Sequence, residues 1–155
     1  MNSLNANVEN LDGTGPQGSR RAQGANEFMY VFVPANALRG QVYLISYTTP
    51  SLTNTPKLIT PATLLAVEQY HAVVLQDQGA TAGWAWVQTR GLAKGLVTGA
   101  VTANSTLLKV LTATNVFTAD GTTRTINTVS GALTTQASGT NLIDVYLTGE
   151  PAVIS

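Results

Sequence analysis

Cysteine is absent from the 155-residue chain, which excludes disulfides, thiolate metal sites and cysteine nucleophiles and leaves the redox compartment unreadable. Charge is scarce as well. Lys, Arg, Asp and Glu make up 10% of the residues, against roughly 25% in an average soluble domain. Eight basic residues balance eight acidic ones, so there is no basic stripe and a nucleic-acid partner is not expected. A surface this poor in charge differs from that of a freely diffusing cytosolic enzyme and suits a protein packed against others. Histidine occurs once, at His71. Ser-His-Asp catalysis would have to use it, yet none of Ser46, Ser51, Ser105, Ser130 or Ser138 lies in a G-x-S-x-G elbow.

One histidine without cysteine cannot build an ordinary zinc site, and no D-x-D-x-D-G calcium loop is present. Asp77 and Asp120 could act as a glycosidase pair only if the fold happened to bring them together. No catalytic set, metal or cofactor is therefore expected. A G-x-G-x-x-G pattern exists at 13–18, but no strand precedes it, so the dinucleotide-binding context is missing. Asn104-Ser105-Thr106 matches a glycosylation sequon that has meaning only in a secreted chain. No run of about 18 apolar residues appears, so neither a transmembrane helix nor a membrane partner is expected. The N-terminus, MNSLNANVENLDGTGPQGSRR, lacks the basic and apolar regions of a signal peptide, and folding in a cytoplasm is the expectation.

What the chain does contain is hydrophobic residues at 44% and 23 threonines, most of them after residue 48. Threonine is β-branched and fits a pleated, half-buried surface. Short Thr/Val runs punctuated by Gly, Asn and Asp predict many short strands with tight turns. The predicted fold is all-β, a small antiparallel β-barrel or sandwich. Residues 1–27 differ: they hold Gly13, Gly15, Gly18, Gly24 and Pro16 and show no apolar periodicity. Such a segment buries too little surface to offset its ordering entropy and reads as a flexible N-terminal arm preceding a domain at 28–155. Arg20-Arg21, the one paired basic site, lies in this arm.

Strands are predicted at 28–33, 41–47 and 72–76, at 83–91 and the adjoining 92–101, and at 106–111 and 141–147. Val116–Ala119 and Thr122–Ile126 flank Asp120-Gly121, a two-residue hairpin signal. A Pro- and Thr-rich loop spans 48–61. Thr60 as N-cap and Pro61 at the first helical position predict a short helix over 60–71. The run Val42–Tyr47 is apolar on both faces, which points to cover by the core on one side and by a neighbouring subunit on the other. Tyr43, Ile45 and Tyr47 become candidate subunit-interface residues, and a homotrimer is expected. Trp84 and Trp86 share one strand face; they read as core packing, as interface anchors, or as a sugar-stacking platform.

The segment Gly83–Ala93, with Trp86-Val87-Gln88-Thr89-Arg90-Gly91 at its centre, resembles the G-W-x-Q-x-x-G stretch of the small capsid decoration (cement) proteins of tailed bacteriophages. Ala85 stands where that pattern has glycine. The small-residue turn and strand Ala103–Leu108 and the apolar closing strand Leu142–Leu147 are similar too, so the resemblance covers about 72–148. It implies a non-enzymatic virion protein, made in the host cytoplasm. It would be a trimer on the outer surface of the head, bound to the major capsid protein and stabilising contacts between its subunits. Arg20 and Arg21 of the arm are then candidate capsid-binding residues, and Trp84 and Trp86 candidates for the subunit interface. A carbohydrate-binding β-domain of a phage fibre is the alternative class, and exposure of the tryptophans discriminates between the two.

Overall fold

Runs of Val, Ile, Leu and aromatic residues, broken by Gly, Asn and Thr, form the strands. The computed structural model describes residues 18–46, 57–59, 68–111, 114–125 and 127–153. In chain order the strands are β1 (Arg20–Gln23), β2 (Asn26–Val33), β3 (Val42–Ser46), β4 (Lys57–Ile59), β5 (Glu68–Gln69) and β6 (His71–Val74). They continue with β7 (Gly83–Thr98), β8 (Leu107–Leu111), β9 (Val116–Gly121), β10 (Ser130–Ala132), β11 (Thr140–Leu147) and β12 (Ala152–Val153). No helix occurs among the described residues. The protein is all-β, as its composition predicts.

Among the described residues, ten strands form one sheet in the order β1-β2-β4-β3-β6-β7-β11-β10-β8-β9, and the further pairings β2–β7 and β7–β9 close it into two rings. The first ring is β2–β4–β3–β6–β7 and the second β7–β11–β10–β8–β9, with β7 common to both. Pairing is antiparallel except at β2–β4 and β7–β9, two short parallel seams, one in each ring. The remaining two strands, β5 and β12, pair with each other.

β7 is long enough, at 16 residues, to serve both rings. Its first half pairs with β2 and β6, its second with β11 and β9. Between the halves the register against β2 shifts at Glu27/Phe28, a β-bulge that bends the strand. Gly91, at φ 94, lets the β1–β2 turn press close: a Cβ there would meet the Ala25 carbonyl at 2.8 Å. The Gln88 carboxamide donates to the carbonyls of Arg90 (3.0 Å) and Leu92 (2.8 Å), and Leu92 N donates to Asn26 Oδ1 (3.0 Å). The Trp86–Gly91 stretch is thus the joint of the fold.

Met29, Val31, Tyr43, Ile45, Val74 and Val87 fill the first ring. Val97, Leu108, Phe117 and Val145 fill the second, and that cluster continues onto Val42, Leu44 and Val73 of the first ring's opposite face. Gly95 leaves room for Phe117, whose ring carbons would lie 2.7 and 2.9 Å from a Cβ. β3 is therefore buried on both faces, as its composition predicts, but its own chain supplies both covers. The expectation that a neighbouring subunit covers Tyr43 and Ile45 is corrected: both lie in the first ring's core. Tyr47 lies outside the described residues, and the homotrimer loses the observation that motivated it.

Four other expectations change. Arg20–Gln23 pair in register with Met29–Asn26 through a turn at Gly24 (φ 61), so the flexible arm does not extend to residue 27. This strand escapes a reading by apolar pattern because it is a polar edge strand. Residues 1–17 lie outside the described residues. The helix predicted over 60–71 lies partly outside them too, but Glu68–Gln69 and His71 are extended, because pairing and burial of β6 override local propensity. β4 falls inside the predicted 48–61 loop and has a neighbour on each side; its three residues, Lys57–Ile59, include no proline. Asp120-Gly121 ends β9 rather than turning a hairpin. The Asp120 carboxylate accepts from the Thr125 and Thr128 hydroxyls, both at 2.6 Å, and faces Lys109 Nζ at 3.9 Å. The β8–β9 hairpin turns before Val116, with Asn115 left-handed at φ 56.

Candidate functional site

Arg21 and the tryptophans, separate in sequence, come together on the outer face of the first ring, while Arg20, its neighbour in β1, points to the opposite side of the strand. β2 and β7 set Tyr30 opposite Trp86 and Phe32 opposite Trp84. Because alternate residues share a face, these four rings stack in a row. Tyr30 lies 5.4 Å from Trp86 and 5.7 Å from Trp84, centroid to centroid, and Phe32 meets Trp84 edge-on at 5.7 Å. β1 brings the Arg21 guanidinium to 5.8 Å from the Trp86 ring, a cation–π distance. Trp86 is buried, Trp84 half-buried and Phe32 exposed at the end of the row. Trp86 Nε1 and Arg21 Nε are buried without a hydrogen-bond partner.

Of the predicted interface residues that are described, Trp86 therefore packs within its own chain, and only Trp84 keeps part of its ring accessible. Arg20 is exposed at the outer end. Arg20, Arg21, Ala22, Glu27, Phe28 and Thr89 line a cleft of about 300 Å³, and Glu27 also faces Arg90 at 3.6 Å. β1 has one neighbour in the sheet, β2.

His71 is buried at the start of β6, with Nε2 donating to the Val129 carbonyl at 3.3 Å and Nδ1 unpartnered. Burial lowers its pKa to about 4, against a smaller upward push from the Val129 hydrogen bond. The imidazole is thus neutral near pH 7 and belongs to the packing between the rings. Asp77 accepts from Arg39 N at 2.8 Å, and Asp120 anchors the 122–128 loop. Each of these carboxylates has a local structural partner. No group of three or more His, Asp or Glu residues that could hold a metal occurs among the described residues.

No protein-family model matches the chain, and no curated protein does either. Among solved structures, the chain is similar in fold to the head fiber gp8.5 N base of bacteriophage phi29, with a TM-score of 0.52 at 8% identity. The likeness covers 80% of this chain and 95% of that one. At this identity the similarity concerns the fold alone.

Proposed function

We propose that this chain is a structural protein of a bacteriophage head, a decoration protein held on the outer capsid surface by contacts with the major capsid protein. The observation that carries the reading is the fold likeness, over four-fifths of the chain, to the base of a phage head fiber. The Trp86–Gly91 stretch, which resembles that of decoration proteins, lies at the joint of the two rings, where it has a structural reason to exist. In this reading the chain is not an enzyme, and its work is mechanical. A protein that binds one state of the shell stabilises that state by the free energy of binding. The cleft beside β1, lined by Arg20, Arg21 and Glu27, is the proposed contact with the shell.

The test is co-sedimentation of purified chain with heads of the phage that encodes it, with the copy number per shell protein measured in purified virions. Stoichiometric binding together with greater resistance of the heads to heat or chelator supports decoration. Absence from virions, or binding at a few copies with no effect on the shell, refutes it. The fibre reading shares the fold likeness to a head fiber base and is further favoured by the accessible rings of Phe32 and Trp84, which could stack on a sugar. Glycan binding abolished by Trp84→Ala, without head stabilisation, would select it.

A further inference from the structure

Seven large apolar side chains are exposed among the described residues, and three of them lie on the outer face of β7 and β11. There the two strands run antiparallel, and their outward residues stand in three directly opposed pairs: Leu92 with Tyr146, Lys94 with Asp144, and Leu96 with Leu142. Leu92 is 55% exposed, Tyr146 41% and Leu142 38%. Lys94 Nζ lies 2.7 Å from Asp144. A fourth exposed residue, Leu38 at 49%, adjoins Arg39, which lines one cleft with Leu92, Lys94 and Asp144. The face thus reads as an apolar row, a charged row and a second apolar row.

Exposed apolar side chains gathered on one face and rimmed by polar ones mark interaction sites where the patch is large. A chain of zero net charge also has little repulsion to hold copies apart. The pattern is complementary to itself. A second copy can be turned by 180° about an axis parallel to the strands, midway between β7 and β11, and laid face to face. Leu92 then meets the partner's Tyr146, Leu96 the partner's Leu142, and Lys94 the partner's Asp144. Turning about the perpendicular axis in the same plane sets lysine on lysine and aspartate on aspartate, so charge selects the first arrangement. Two-fold contacts in which a patch meets its own copy are the commonest route to soluble oligomers. We infer that copies of this chain pair through the outer face of β7 and β11, across a two-fold axis parallel to those strands.

Sedimentation of the full chain at micromolar concentration tests this. The chain should run as a dimer. Lys94→Asp alone and Asp144→Lys alone should each weaken the dimer tenfold or more, since every charge facing the partner becomes like-signed. An equimolar mixture of the two variants should dimerise again, because each then carries the charges the other lacks. A role confined to the ion pair within one chain cannot produce that rescue. Leu92→Ser should weaken the dimer while leaving the far-UV circular dichroism unchanged. A monomeric chain, a trimer, an assembly indifferent to Leu92→Ser, or a mixture without rescue would each overturn the inference.

Discussion

His71 couples the packing between the rings to pH. Its pKa is near 4 in the fold and near 6.5 in the unfolded chain. Between those values the unfolded chain binds a proton that the folded chain does not, so stability falls as pH drops from about 6.5 towards 4. Below about 4 both states are protonated and this contribution levels off. The full shift corresponds to a loss on the order of 3 kcal/mol. His71→Gln removes the titrating group, and urea midpoints at pH 7.5 and 4.5 should lie closer together in the variant than in the parent. Its binding to heads should be unchanged. Gly91 and Gly99 form a second residue-scale comparison. Both have positive φ, but a Cβ at Gly91 meets the Ala25–Asn26 backbone, whereas one at Gly99 meets nothing within 4 Å. Gly99→Ala should cost about 1–2 kcal/mol, the left-handed penalty alone. Gly91→Ala should cost more in the same urea titration, since backbone must also move.

Among elements, β1 is the one whose status changes most between pattern and structure. Arg20–Gln23 carry no apolar alternation, so nothing local marks them as a strand; the partner β2 and the Trp86 ring beneath Arg21 do. Removing residues 2–27 takes away β1, the Arg21–Trp86 contact and the first residues of β2, and should lower the melting temperature by several degrees. The same contrast shows what is legible in the sequence. β2, β3, β8 and β11 are readable because their apolar runs are dense and bounded by turn residues. β4 is hidden because three residues are too few to show a period. Asp120-Gly121 misleads because a side-chain carboxylate taken up by Thr125 and Thr128 looks, in sequence, like a turn aspartate. The double-faced burial of Val42–Ile45 is legible, but what covers its outer face is not, because that cover is the second ring, which begins about fifty residues further on. The Arg21–Trp86 contact and the opposed pairs of β7 and β11 depend on register, which composition does not carry.

At the scale of the whole molecule, two rings share one strand, and one apolar cluster runs from the second ring onto the opposite face of β3 and β6. The first ring has an interior cluster of its own, but its outer face at β3 and β6 is part of the second ring's core. If the second ring opened, Val42, Leu44 and Val73 would face water, and β7 would lose the partners of its second half. Unfolding should therefore be a single transition rather than two. The placement of the tryptophans makes the point measurable. Trp84 and Trp86 both lie in the first half of β7, so their fluorescence reports the first ring, while far-UV circular dichroism reports every strand. Leu108 is fully buried in the second ring, and Leu108→Ala should cost about 2–5 kcal/mol by loss of transfer energy and creation of a cavity. The fluorescence and dichroism midpoints should move down together by the same amount. A dichroism transition that shifts while the tryptophan signal keeps its midpoint would mean that the first ring stands alone and that β7 joins two independent units.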